Sequence, residues 1–238
     1  MGAKIKRLSG RKIEIIGVKK FKPVIYKIMP DRNEAVSFAI AAIASQGDII
    51  VENAKVSHLK AFLEKLKLCG AGYEVGNYGI RFYYQGRLKA VEIKTEPHPG
   101  FMTDWQPLWS ILACQSWGKS RIIETVYTNR FQYVPFLQKM GAKISYFQPQ
   151  PKNPEKFYNF NLDDDQPENF HGLEIKGPTA LKAIKAKVSD LRAGATLTIA
   201  GLIAQGKTVL TDIEHIDRGY ENLDKRLMEL GAQIKRVD

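Results

Sequence analysis

Three landmarks recur in register three times along this chain. Pro30-Asp31-Arg32 leads through Gly47 to Cys69-Gly70-Ala71, Thr103-Asp104-Trp105 through Gly118 to Met140-Gly141-Ala142, and Ser189-Asp190-Leu191 through Gly206 to Leu230-Gly231-Ala232. The step from Asp to the middle Gly is 16, 14 and 16 residues, and from there to the final Gly 23, 23 and 25. Single short tags repeat by chance, but a set held in order at near-constant spacing marks a structural repeat. A chain built this way must stack three like units around a shared core.

Each unit reads alike physically. The Asp stands where a carboxylate can accept from the free N–H groups of a first helical turn. An apolar stretch follows, such as Ala35 to Ala44, Trp105 to Trp117 or Ala193 to Ala204, apolar on nearly every face and therefore a buried helix. The middle Gly is placed as a helix C-cap. Next come β-rich runs at Asp48 to Val51, Ser120 to Ile123 and Thr208 to Leu210, then a second, amphipathic helix, as in Leu59-Phe62-Leu63-Leu66. That helix ends at Gly-Ala, and a strand closes the unit, Lys143 to Tyr146 or Gln233 to Val237. Further strands fall at Gly79 to Tyr84 and Ala90 to Lys94. The expected fold class is α/β: three pseudo-symmetric αβ repeats with buried helices and sheets outside.

Met1-Gly2-Ala3-Lys4-Ile5 repeats Met140-Gly141-Ala142-Lys143-Ile144 letter for letter. The second copy is the end of a unit, so the first is expected to be one too. Residues 1–27 are then the remnant of a preceding repeat, and residues 28–238 the three-repeat domain. Residues 148–172, with Pro149, Pro151, Pro154 and Pro167, form a surface insert, and Asp163-Asp164-Asp165 within it reads as a solvated face.

No stretch is long enough to span a bilayer, and no signal peptide stands at the start, which predicts a cytoplasmic protein. Cys69 and Cys114 lie in apolar settings and read as buried structural thiols, and four scattered histidines show no metal-ligand spacing. The net charge is +11, but residues 1–30 hold nine Lys or Arg against one Glu, so +8 of it is concentrated there. A covered or lysine-rich edge explains this as well as a nucleic-acid surface does, and no aromatic-interleaved RNA motif accompanies it.

Charged residues recur at the junctions. Asp104 and Asp190 precede buried helices, while Arg130 and Arg218 occupy matching strand-to-helix turns in Asn129-Arg130-Phe131 and His215-Ile216-Asp217-Arg218-Gly219-Tyr220-Glu221. They can be simple N-caps and surface charges. They can equally form an anion site, because helix N-termini in a ring of repeats converge on one end and guanidiniums beside them would bind oxyanions.

Thr95-Glu96-Pro97-His98-Pro99-Gly100-Phe101-Met102-Thr103-Asp104, Glu124-Thr125-Val126-Tyr127-Thr128-Asn129-Arg130-Phe131, Asp190-Leu191-Arg192-Ala193-Gly194-Ala195 and the His215 to Glu221 run together resemble the C-terminal half of the UDP-N-acetylglucosamine 1-carboxyvinyltransferases, a family of enolpyruvyl transferases. The resemblance spans Met1 to Asp238. It implies two domains of three repeats each and transfer of the enolpyruvyl group of phosphoenolpyruvate to the sugar 3′-hydroxyl, with phosphate released and no metal or organic cofactor. By motif, Asp104 matches the carboxylate near that hydroxyl, a general base or hydroxyl positioner. Val126, Tyr127 and Arg130 match the nucleotide-sugar side, Arg192 and Arg218 the arginines that hold phosphoenolpyruvate, and Asp190 an acid assisting proton transfer. It further implies that a first domain, supplied in trans if at all, carries the remaining contacts and the proton donor. The isolated chain is then expected to be inactive, with an open strand edge that favours self-association. A sister enzyme acting on shikimate 3-phosphate, or a non-catalytic nucleic-acid or partner-binding repeat module, are the competing readings.

Overall fold

The computed structural model describes residues 1–9 and 12–237. They divide into two compact units, Met1–Pro30 and Asp31–Asp238. The first unit is an antiparallel hairpin of β1 (Lys4–Arg7) and β2 (Ile13–Ile16), with Ile5 opposite Ile15 and Arg7 opposite Ile13. Cross-strand pairs share a face, so Ile5, Ile13 and Ile15 lie together with Arg7 on one side, and all three isoleucines are exposed.

The second unit contains the three repeats. The first has α1 (Arg32–Ala44), β3 (Asp48–Glu52), α2 (Val56–Cys69), β4 (Gly72–Gly76) and β5 (Gly79–Tyr83). The second has β6 (Glu92–Lys94), α3 (Gln106–Gln115), β7 (Gly118–Ile123), α4 (Val134–Lys139), β8 (Lys143–Phe147), then α5 (Pro154–Phe157) in the insert, and β9 (Gly172–Gly177). The third has β10 (Lys185–Lys187), α6 (Leu191–Ile203), β11 (Val209–Thr211), α7 (Glu214–Asp217) and α8 (Leu223–Glu229).

Helices α1, α3 and α6 pack on one another at the centre, buried through Ile40, Ile43, Trp109, Leu112, Leu197 and Ile199. The sheets lie outside them. In the first two repeats the strand order is the same: β3-β5-β4 and β7-β9-β8, all antiparallel. β6 and β10 run parallel to β7 and β11, each pair linked through a central helix. Parallel neighbours need such a crossover.

The final Gly-Ala of each repeat has one structural cause. Gly70, Gly141 and Gly231 sit at φ +84, +97 and +95, in the left-handed region. The following Ala71, Ala142 and Ala232 donate back to Leu66, Leu137 and Leu227, satisfying an orphan carbonyl in each helix end.

The middle glycines differ from expectation. In the first repeat Gln46, at φ +59, takes the left-handed position, and Gly47 follows it. In the other two, the helices end on extended caps at Ser116 and Ala204, so Gly118 and Gly206 shape the turn into the next segment rather than cap a helix.

Residues 233–237 form no strand, contrary to the sequence reading. β4 and β8 are strands because β5 and β9 pair with them, and among the described residues no strand flanks 233–237 or the outer edge of β11. The third repeat instead has a groove of about 710 Å³ between α6, β11, α8 and residues 232–237. Arg236 anchors the segment through bidentate bonds to Asp217 (2.8 and 2.9 Å) and contacts to Asp224 (3.1 and 3.3 Å).

The insert is ordered. Asp163 and Asp164 are exposed as expected, but Asp165 is not simply solvated: its carboxylate bonds Nε2 of buried His171 at 2.7 Å. Asn159 N–H donates to Thr125 O at 2.6 Å, tying the insert to the turn that leads into the site.

Candidate active site

The N-termini of α3 and α6 face the turn between β7 and α4. Asp31 and Asp190 act as the helix caps foreseen: Asp31 Oδ1 accepts from Asn33 N at 2.7 Å, and Asp190 Oδ1 from Arg192 N at 2.8 Å and Ala193 N at 3.0 Å. Asp104 does not cap. Trp105 occupies the cap position of α3, and Asp104 Oδ1 accepts from Arg130 Nη2 at 2.5 Å and Arg192 Nε at 3.0 Å. The side chains of Asp104, Arg130 and Arg192 are 25, 17 and 16% exposed, enough to meet a ligand yet shielded enough for charge to matter.

Sequence motifs brought Asp104, Arg130, Arg192 and Asp190 forward, and the structure gathers all four. A small polar cleft of about 90 Å³ lies among Arg130, Arg192, Asp190, Asn129, Gln132 and Tyr127. The Arg130 guanidinium stands 5.1 Å from the Tyr127 ring centre, and its Nε is buried with no partner. Tyr127 is half-exposed beside the cleft. Burial pulls the Arg192 pKa down, but Tyr220 and Asp104 outweigh it and hold it above the ordinary value. Arg192 is therefore a permanent cation beside a carboxylate, an arrangement that can accept an oxyanion and a hydroxyl proton side by side.

Two functional features were missed. The first is Glu124, fully buried at the end of β7. Oε1 accepts from Thr95 Oγ1 (2.8 Å), Val126 N (2.7 Å) and Tyr127 N (3.0 Å), and Oε2 from Thr103 Oγ1 (2.8 Å). It therefore fixes the Val126–Tyr127 turn and the residue before Asp104 together. Burial raises its pKa, and these donors only partly offset that. Its signal in the sequence was an acid closing the apolar run Ile122-Ile123. The second is Tyr220, buried, whose hydroxyl accepts from Arg192 Nη1 at 3.1 Å.

Arg218 is not drawn into this cluster. It caps the short α7, is exposed, and makes no ion pair among the described residues. Two residues on, Tyr220 is the member of that run that reaches Arg192. Both cysteines are buried; burial pushes the Cys114 thiol up to about 12 and raises Cys69. Cys114 lies at the far end of α3 from Asp104. Among the described residues no group of three or more His, Cys, Asp or Glu is placed to hold a metal ion, and no helix is long and apolar enough to cross a membrane.

The sequence profile of the EPSP synthase (3-phosphoshikimate 1-carboxyvinyltransferase) family matches residues 1–227. The UDP-N-acetylglucosamine 1-carboxyvinyltransferase of Halothermothrix orenii is 39% identical over 237 residues, and that of Pseudoalteromonas atlantica 40% over 238. Each alignment takes in 100% of this chain and 52% of the relative, so the chain spans about half the length of the curated relatives it matches. Among solved structures, the enolpyruvyl transferase NikO from Streptomyces tendae gives a TM-score of 0.75 at 24% identity, over 98% of this chain and 51% of that one. EPSP synthase from Acinetobacter baumannii gives 0.52 at 19%, over 82% and 44%. At those identities the likeness establishes the fold, and it is the enolpyruvyl-transferase fold expected from the motifs.

Proposed function

The chain belongs to the EPSP synthase (3-phosphoshikimate 1-carboxyvinyltransferase) family, and from that premise we propose that it forms one wall of an active site that transfers the enolpyruvyl group of phosphoenolpyruvate to the 3′-hydroxyl of UDP-N-acetylglucosamine. The nucleotide-sugar acceptor follows the names of its 39–40% identical relatives. The observation that carries the reading is Asp104, held between Arg130 and Arg192 at the convergence of two helix N-termini.

In this scheme Asp104 takes the proton of the 3′-hydroxyl as its oxygen attacks C2 of the enol. A proton adds to the methylene carbon, giving a tetrahedral intermediate; elimination then removes that proton and releases phosphate. Arg192 holds the phosphate or carboxylate of the donor, and a fixed guanidinium can follow charge as it moves between these groups. Arg218, exposed and outside the cluster, joins it only if the α7 end moves in when the donor binds. Val126 and Tyr127, pinned by Glu124, meet the nucleotide sugar with Arg130 behind them. Asp190 lines the cleft while its Oδ1 caps α6, and in this scheme it assists proton transfer.

Neither buried thiol is assigned as donor of the methylene proton. As the family resemblance implies, that donor and the opposite wall are supplied by a further domain, in the same protein or in trans, consistent with the chain spanning 52% of its relatives' length. No metal or organic cofactor enters the scheme. This reading puts the reaction in the cytoplasm and assigns no role to nucleic acid or membrane.

Titration of the chain with UDP-N-acetylglucosamine and phosphoenolpyruvate, paired with an assay of phosphate release, tests this. Both ligands are expected to bind, without turnover by the chain alone, and Asp104→Asn to change binding of both. Turnover by the chain alone, lost in Asp104→Asn, would show the site to be complete. Displacement of the nucleotide sugar by shikimate 3-phosphate would overturn the choice of acceptor.

A further inference from the structure

Arg192 is not free to choose its direction. Nε is committed to Asp104 and Nη1 to the Tyr220 hydroxyl. The Tyr220 hydroxyl lies 2.8 Å from Ser37 Oγ, and Ser37 donates in turn to Asn33 O at 2.9 Å. The donors can run only one way. The guanidinium has no acceptor, so Tyr220 oxygen receives from Arg192; Ser37 gives its proton to the α1 carbonyl, so Tyr220 must donate to Ser37.

This makes an oriented chain from Arg192 through two hydroxyls to the backbone of α1. Tyr220 and Ser37 are each 1% exposed, so water cannot compete for these bonds. The bonds also link distant parts of the chain, since Ser37 and Tyr220 are 183 residues apart in sequence. With Nε and Nη1 held, Nη2 is the edge of the guanidinium left for a ligand oxyanion.

We propose that Tyr220, backed by Ser37, is a positioning residue that fixes the Arg192 guanidinium with its Nη2 edge turned to the donor's phosphate or carboxylate. This rests on the reading of Arg192 as a phosphoenolpyruvate ligand. A guanidinium held at two edges loses little further freedom on binding an anion. Released at one edge, it must give up that freedom at each binding event, and affinity falls.

The test uses the full chain with ¹⁵N-labelled arginine and the variants Tyr220→Phe, Ser37→Ala and Ser37→Thr. Tyr220→Phe keeps the ring and removes only the hydroxyl. NMR of the Arg192 guanidinium reads how fast it rotates, and titration reads affinity for phosphoenolpyruvate and for UDP-N-acetylglucosamine separately. In Tyr220→Phe, faster rotation and a roughly tenfold loss of phosphoenolpyruvate affinity are expected, the size of one hydrogen bond to a charged group, with nucleotide-sugar affinity unchanged. Ser37→Ala should move both readouts the same way by less, and Ser37→Thr, which keeps the hydroxyl, should restore them.

Unchanged rotation in Tyr220→Phe would overturn the proposal, as would equal losses for both ligands. If rotation is freed but the wild-type chain binds no phosphoenolpyruvate, the positioning contact stands and the functional reading fails instead.

Discussion

Glu124 is an acid held by four donors in a place shielded from solvent, and the two effects oppose each other. Burial prevails and raises its pKa above the usual 4.5. A carboxyl whose folded value is raised contributes stability that is complete below the unfolded value and is lost as pH rises through the folded one. The neutral isostere Glu124→Gln lacks this dependence. Thermal melts of the two proteins from pH 4 to pH 7 should therefore show wild type losing ground to Glu124→Gln as pH rises, and parallel curves would refute the assignment. The sequence displayed this acid in a motif but not its function, because its partners Thr95 and Thr103 arrive from 29 and 21 residues away. Asp104 shows the same limit more sharply. Its spacing matched that of Asp31 and Asp190, so the pattern alone left a cap and an anion site equally open, and the fold decided by delivering Arg192 from 88 residues away.

At the scale of elements, Asp190 has two tasks that one substitution can confuse. Its Oδ1 caps α6 through two N–H bonds, and its charge lines the cleft. Asp190→Ala removes both and should cost about 1 kcal/mol of stability, as cap losses do. Asp190→Asn keeps the cap and should melt within a degree or two of wild type while still impairing ligand binding. Equal destabilisation by Ala and Asn would mean the carboxylate is not acting as a cap. The caps and the Gly-Ala helix ends were legible because they are local: a side chain and the backbone within five residues satisfy each other. The middle glycines misled because glycine serves several turns, and only the neighbouring segment decides which. The strand expected at 233–237 failed for a different reason, since a strand is defined by its partner and alternation in a sequence does not supply one.

At the scale of the molecule, the second unit should melt as one. Phe62 of α2 meets Trp105 and Trp109 at the start of α3 with ring centres 6.0 and 6.1 Å apart, and Phe101 lies 5.6 Å from Trp109, so the first two repeats share an aromatic core. Trp109→Ala should destabilise the whole unit by about 3–5 kcal/mol, with circular dichroism and fluorescence transitions still coincident. Separate transitions would show the repeats to be independent. By itself the sequence determined that there are three repeats, that their first helices are buried and how their second helices end, because these follow from periodicity and from bonds within a few residues. It also pointed to the cleft residues through their likeness to a family. Only the tertiary structure decided that Asp104 is an ion-pair hub, that Tyr220 and not Arg218 touches Arg192, that Glu124 is enclosed, and that among the described residues the third sheet has two strands. Each of these depends on groups far apart in sequence coming within hydrogen-bond reach, which local pattern does not encode.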